Sequence, residues 1–335
     1  MMISGALLGL FLALLGVVEA VAQPVKLRAG WIITPSSILP LMPERPDLLK
    51  HQGKSYVLEP VRFQASPLQV SALASGDIEI GTLGYSSFSI AVLNAGLKDL
   101  RIIGHEIRDG ADGYFTFHFM VKKDSPIQKI ADLKGKRVAV NGIGSGVDMS
   151  LQAMLRQHGL MFKRDYNTLE VGFPNMKAML VEGKADLVSA TVPFSEDPEL
   201  KAAGRILFTS REGMGGPVEL SFLVVRAPFL AKNRTAVVDF LEDYVRTTRW
   251  LIDPANRPPM LQLLSKVSKL PPATFEPWVY TKGDYFRDPD GMVDLRALQS
   301  NIRVQKELGF IKSDIDVQAF DELDLVREAV KRLPK

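Results

Sequence analysis

The stretch from Phe63 to Ser87, FQASPLQVSALASGDIEIGTLGYSS, most constrains the fold, because in 25 residues it spells out a strand end, a helix, a second strand and a loop. Val57 to Phe63 is a β-leaning run. Gln64, Ala65 and Ser66 then supply small and polar atoms ahead of Pro67, a favoured first-turn residue, so Ser66 is the expected N-cap. Leu68, Ser71, Ala72 and Leu73 share one helical face, Gly76 suits the position after a helix where φ is positive, and Asp77 to Gly81 alternates with period two. Thr82 to Ser87 is again small, polar and aromatic ahead of an apolar helical pattern, Phe88 to Leu93. Two helix N-termini therefore open from neighbouring loops, and their backbone N–H groups can face one anion without a formal positive charge.

The plan recurs 107 residues later, where Pro174 stands to Gly183 as Pro67 stands to Gly76, and Ala185-Asp186-Leu187-Val188 continues as a strand into Ala190 to Phe194. Either the chain holds two similar lobes facing each other across a cleft, or it holds two unrelated but ordinary αβ units.

Of 335 residues, 46% are hydrophobic and 24% charged, the composition of a globular protein long enough for two domains. Ile3 to Val18 is apolar and uncharged, and Ala20-Val21-Ala22 has the small-x-small form of an export cleavage site, so residues 1–22 read as a signal peptide cut near Ala22. The run departs from the usual pattern in lacking Lys or Arg before its apolar part. A retained membrane anchor is the competing reading, for which the run is short and closely followed by Glu19. Cleavage removes Glu19 alone among charged residues, leaving 41 basic against 37 acidic side chains, or +4. These charges form no basic block and no basic-aromatic stripe, which gives no reason to expect a nucleic-acid partner. With 0 cysteines there is no disulfide, no thiolate nucleophile and no Cys-anchored lipid, all compatible with an oxidising compartment.

Along the mature chain, Val25 to Ile32 alternates as a first strand, and Thr34-Pro35-Ser36-Ser37 follows as a polar turn, the place where open α/β sheets bind ligands. Pro40, Pro43 and Pro46 make the next helix irregular. Leu100 to His105 and Tyr114 to Val121 read as strands, and Lys122 to Pro126 is a turn that introduces a fresh βα series. Arg137 to Val140 is a buried strand, Asn141 to Gly146 a flexible loop, and Val147 to His158 a helix. Leu169 to Val171, Ala185 to Ser189 and Arg205 to Phe208 read as strands, and Glu219 to Val225 as a long one that can carry the chain back. Beyond Pro228 the pattern is mostly helical, over Arg234–Ile252, Pro259–Val267, Leu295–Leu308 and Phe320–Leu333. Strands alternating with helices and then a helical tail indicate an α/β protein with two lobes and a helical cover.

At ALASGDIEIGTLG, VKKDSPIQKIADLKGKRVAV and LVEGKAD the chain resembles periplasmic solute-binding proteins of the sulfonate, nitrate, taurine and thiamine-precursor import type. The resemblance implies a two-lobed type II periplasmic binding fold with a helical C-terminal extension, in which residues 23–119 open lobe 1, 120–217 form lobe 2, and 218–335 return to lobe 1. It implies a monomer that captures a small organic anion in the interlobe cleft and delivers it to an ABC permease in the inner membrane. Carried over by position, the pocket draws on Trp31, Thr34 and Ser36 after the first strand, on Gln64, Ala65 and Ser66, and on Gly84, Tyr85 and Ser86. From the facing lobe it draws on Gly144, Ser145 and Gly146, and on Thr191 to Phe194, where Thr191 and Phe194 flank a Val-Pro pair in place of the Trp-containing motif frequent in the family.

Other readings of these residues differ in chemistry. Asn141 to Gly146 follows a strand and opens a helix, yet Val147 stands where the third glycine of a dinucleotide loop would fall, so a small anion fits the loop better than a nucleotide cofactor. Ser145, with Ile143 two residues before it, is not in a nucleophile elbow, and its N–H is expected to point at the ligand. His51, His105, His118 and His158 lie far apart with no metal-ligand spacing, so no metal is expected. His118 reads as an interior or hinge histidine or as a ligand contact, and Asp148 as a helix-dipole partner or the partner of a ligand amine. No Lys or Arg occurs in the pocket segments, and the aromatic residues Trp31, Tyr85 and Phe194 suit a ligand with an organic body, a sulfonate or carboxylate rather than nitrate, sulfate or phosphate. The enzyme alternative, a pyrimidine synthase of thiamine-precursor biosynthesis, relies on a cysteine-rich motif that this chain lacks. A regulator's effector domain would need a helix-turn-helix instead of an apolar N-terminus.

Overall fold

The computed structural model describes residues 23–334, so the expected signal peptide lies outside the described residues. Strand β1 (Val25–Trp31) pairs in parallel with β2 (Tyr56–Arg62), Val25 opposite Tyr56. The prolines between them leave only a 3₁₀ turn at Met42–Glu44, since proline has no N–H to donate. Helix α1 (Ser66–Ser75) is capped by Ala65 rather than by Ser66. Ser66 is already helical, and its hydroxyl meets that of Ser87 at 2.8 Å instead of turning back on its own backbone. Gly76, at φ +78°, ends the helix and delivers β3 (Ile80–Leu83), which runs into α2 (Tyr85–Leu93) and β4 (Leu100–Asp109).

The chain then crosses to a second sheet. Strand β5 begins this sheet at His118 (His118–Lys122), two residues ahead of the expected boundary after residue 119. It is followed by β6 (Arg137–Val140), α3 (Gly146–Gln157), β7 (Asn167–Glu170), α4 (Met176–Val181), β8 (Leu187–Ala190), α5 (Pro198–Ala203), β9 (Gly204–Thr209) and α6 (Ser210–Met214). Strand β10 (Val218–Arg226) returns the chain to the first sheet as a central strand, buried at every position but the last, Glu219 and Ser221 included.

The two sheets share one topology. Their strand orders, β2-β1-β3-β10-β4 and β7-β6-β8-β5-β9, superpose element on element, with three parallel strands and then one antiparallel strand beside a fifth. A shared side-chain device supports the repeat. Arg28 Nη2 donates to Gly76 O at 2.6 Å while its own N–H bonds Glu79 Oε2 at 2.8 Å, and Arg137 Nη2 donates to Gly183 O at 2.8 Å while its N–H bonds Asp186 Oδ2 at 2.8 Å. In each lobe an arginine on the first strand thus ties down the helix end and the start of the third strand, satisfying a carbonyl left free by the helix. The Pro67/Pro174 correspondence marks a real internal repeat.

Both crossings turn on glycines with left-handed backbones, Gly110 at φ +66° and Gly215 at φ +70°. Asp109 stands between them. It accepts from Phe117 N–H at 3.0 Å on one crossing and from the Ser210 hydroxyl on the other.

Residues 227–334 cover the first lobe with α7 (Ala227–Ile252), α8 (Arg257–Ser268), α9 (Leu295–Glu307) and α10 (Asp324–Arg332). Helix α7 starts earlier than the helical pattern from Arg234 suggests and is kinked at Asn233, whose φ of −129° is not helical. Helix α10 starts at Asp324 rather than Phe320, because Val317–Phe320 forms a separate 3₁₀ turn. A non-helical segment between α8 and α9 runs back to the interlobe cleft through Tyr285. Among the described residues no helix is long and apolar enough to cross a membrane.

Candidate functional site: the interlobe cleft

Three helices open on one cavity. Its wall takes Ser66 from the first turn of α1, Gly84 from the N-cap of α2, and Ser145, Gly146 and Val147 from the start of α3, so the two lobes aim helix N-termini at one space of about 70 Å³. The first N–H groups of a helix lack intrahelical partners and carry its positive dipole end. None of the residues lining the cavity is Lys or Arg, so the donors offered to an anionic group are N–H groups, hydroxyls and the Asn141 amide, with one carboxyl group, Glu106, in the same wall. The apolar wall comes from Ile33, Ile107, Phe117, Phe173, Leu220 and Tyr285.

The lobes are in contact around this space. Tyr85 Oη donates to Gly146 O at 3.0 Å, Ser86 Oγ and Ser87 Oγ donate to Gly144 O at 2.9 and 3.2 Å, and Gln64 Nε2 donates to Asn141 O at 3.0 Å. On the far side Thr191 Oγ1 meets Tyr285 Oη at 2.7 Å. The approach is tight enough that a Cβ on Gly142 would lie 2.5 Å from the Ala65 Cβ.

Of the residues expected to form the pocket, Ser36, Ser66, Gly84, Ser145, Gly146 and Thr191 line this cavity. Gln64 and Phe194 line a neighbouring groove of about 320 Å³ that shares Ile32, Ile33 and Phe173 with it and also carries Arg62. Tyr85, Ser86 and Gly144 hold the lobes together through the bonds above, and Ala65 caps α1 while packing toward Gly142. Trp31 lies under the Arg62 guanidinium, 5.7 Å from its ring centre, and Thr34 keeps a buried hydroxyl without a partner. His118 packs on Phe115 at 4.8 Å between ring centres, and burial pushes its pKa down to about 4, so the ring is neutral at ordinary pH. Asp148 accepts from Gly144 N–H at 2.8 Å and from Gln152 Nε2 at 2.7 Å, and burial holds its pKa up at about 6. It organises the loop that opens α3.

Two expectations need correction. The Ser145 N–H does not face the cavity. It donates to Gly142 O at 3.1 Å, and its hydroxyl joins Asn141 Oδ1 at 3.0 Å and Asp148 N–H at 3.2 Å, which leaves Gly146 and Val147 as the residues of α3 that present backbone to the space. The aromatic wall is Phe117, Phe173 and Tyr285, not the trio Trp31, Tyr85 and Phe194.

Sequence reasoning missed Glu106. It is 6% exposed and lines the cavity, with Ser221 Oγ donating to Oε2 at 2.5 Å and Oε1 without a partner. A strand read only as far as His105 leaves Glu106 outside it, whereas β4 runs on to Asp109. The register of β4 against β10 shifts between Glu219 and Ser221 and again before Phe222. Such irregularities re-aim side chains, and here consecutive residues, Glu106 with Ile107 and Leu220 with Ser221, all reach the cavity wall. An acid between two apolar-flanked positions of a strand that runs on past His105 is the signal that could have found it. Tyr285 had no signal, since its segment is irregular and far from the cleft along the chain.

Residues 113–256 match the family model described as NMT1/THI5 like. A protein of Escherichia coli (strain K12) assigned to aliphatic sulfonate binding is 26% identical over 266 residues, covering 79% of each chain. The alkanesulfonate-binding protein from Xanthomonas axonopodis pv. citri, solved with MOPS bound, superposes with a TM-score of 0.68 at 23% identity, over 90% of this chain and 99% of that one. A desulfurization enzyme superposes with a TM-score of 0.62 at 14% identity over 92% and 99% of the two chains, so the fold alone does not separate binding from catalysis. Residues 113–256 thus match the NMT1/THI5-like family model, and the chain as a whole shares the two-lobed fold of solved sulfonate-binding proteins.

Proposed function

We propose that this protein is the solute-binding component of an ABC importer: it captures a small organic acid, a sulfonate or carboxylate, between its lobes and presents it to a membrane permease from the periplasmic side. The observation that carries this reading is the convergence of three helix N-termini from two lobes on one cavity without Lys or Arg. Each N-terminus contributes roughly 0.3–1 kcal/mol to an anion and more when partly buried, enough for one negative charge but a poor match for a doubly charged phosphate. Phe117, Phe173 and Tyr285 then favour an organic body, at about 25 cal/mol per Å² of apolar area removed from water. The relatives assigned to sulfonate binding point to the same ligand class.

Binding without chemistry fits the cavity better than catalysis. Its Ser145 hydroxyl is engaged by Asn141 and Asp148, no histidine lines the wall, and the chain has 0 cysteines to supply a nucleophile. Thermal-shift screening tests the reading. Alkyl and aryl sulfonates and carboxylates should raise the melting temperature more than nitrate, sulfate or phosphate at equal concentration, and a larger shift with any inorganic ion would overturn it.

A further inference from the structure

Glu106 is a carboxyl group in a cavity otherwise built to attract negative charge. Its Oε2 is bonded by Ser221, while Oε1 is buried with no hydrogen-bond partner. Of the two basic groups that act on it, Arg287 is bonded chiefly to other groups, with its Nε buried and unpartnered, and His105 is paired elsewhere. Arg287 directs Nη1 to Asp284 Oδ2 at 3.0 Å and Tyr285 O at 3.2 Å, and Nη2 to Pro35 O at 2.9 Å. His105 precedes Glu106 on β4, and its Nδ1 faces Glu219 Oε1 at 2.5 Å, while Tyr244 behind it donates to the His105 carbonyl at 3.0 Å. The Ser36 hydroxyl, also in the cavity wall, has no partner either, and the neighbouring Ser37 hydroxyl stands close enough to the Glu106 carboxyl to act on it. Hydroxyls can donate or accept and so do not select the charge of a ligand, whereas an ionised carboxylate only accepts.

Resting on the reading of the cleft as a solute site, we propose that Glu106 is its specificity residue and takes the protonated amine of a zwitterionic ligand, an aminosulfonate or amino acid, whose acid group meets the helix N-termini. Burial pushes the Glu106 pKa up, and the Ser221 and Ser37 hydroxyls, Arg287 and His105 only partly oppose this. An alkyl group placed against Oε1 leaves a buried acceptor unpaired or forces the acid to stay protonated. An ammonium group supplies the missing donors and a matching charge. Discrimination of this kind is large because the wrong ligand leaves a buried polar group unsatisfied, not only because the right one gains a contact.

Two probes of equal size separate the possibilities: 3-aminopropane-1-sulfonate and butane-1-sulfonate, which differ by an ammonium in place of a methyl group. Calorimetry on the wild-type protein should show the aminosulfonate binding at least about tenfold more tightly, the effect of one charge-assisted hydrogen bond. Glu106→Gln, with its melting temperature checked, should abolish that preference by weakening the aminosulfonate and leaving the alkyl probe unchanged or improved. Equal or tighter wild-type binding of butane-1-sulfonate overturns the assignment of Glu106 but leaves the solute-binding reading standing, as does a variant that weakens both probes alike. Binding of neither probe, nor of any other organic acid, contradicts both. Should the variant fail to fold, the wild-type ratio alone decides.

Discussion

Asp109 joins the two interlobe crossings through Phe117 and Ser210, and burial holds its pKa up at about 6 against the ordinary 3.8. In the folded protein it binds a proton that the unfolded chain releases near pH 4, so its stabilising contribution is complete below about pH 4 and is lost as the pH rises through about 6. The difference in stability between wild type and Asp109→Asn should therefore decline by roughly 1–3 kcal/mol between pH 4 and 6 and stay level above. Denaturant unfolding across that range checks it, and a difference independent of pH would contradict it. Asp148, also raised to about 6, titrates in the same window and is unaffected by the substitution, so it cancels in the comparison. Asp109 and Glu106 show where sequence is silent at this scale. Each lies in the part of β4 beyond His105, where the apolar pattern gives way to polar residues, and whether an acid there faces solvent, a crossing or a cavity depends on the β4–β10 register and on partners about a hundred residues away.

At the scale of elements much more was legible. Gly76 and Gly183 end their helices, the strand expected over Asp77 to Gly81 appears as β3 three residues later and takes in Thr82 and Leu83 of the expected loop, and the Asn141 to Gly146 loop opens α3. These features follow from backbone conformation and local periodicity, which neighbours in sequence determine. What the pattern did not show is how closely the loops meet. Gly142 has space for hydrogen but not for a methyl group, since its Cβ would lie 2.5 Å from that of Ala65 across the cleft. Gly142→Ala should accordingly hold the lobes slightly apart, lowering affinity for the preferred organic acid about tenfold or more while shifting the melting temperature little, because the lobe cores are untouched. Calorimetry with small-angle scattering measures both effects. Unchanged affinity in a folded variant would show that this contact does not limit closure.

For the molecule as a whole, the repeat visible at Pro67 and Pro174 expands into two sheets of identical strand order, each tied by its own arginine, with the return strand β10 and the helical cover completing the first lobe. The repeat places like ends of like elements face to face, and so three helix N-termini share one space. The cover contributes Tyr285, which no local pattern assigns to the cleft, because its position depends on packing over the whole first lobe. Capture of an organic acid at these N-termini is tested most directly by titration calorimetry of the preferred acid from the screen against wild type and Ser36→Trp, which places an indole in the cavity. One site per chain is expected, with a negative heat-capacity change from apolar burial, and binding should be lost in a variant that melts like wild type. Binding undiminished by Ser36→Trp would place the ligand elsewhere and contradict this account of the cleft.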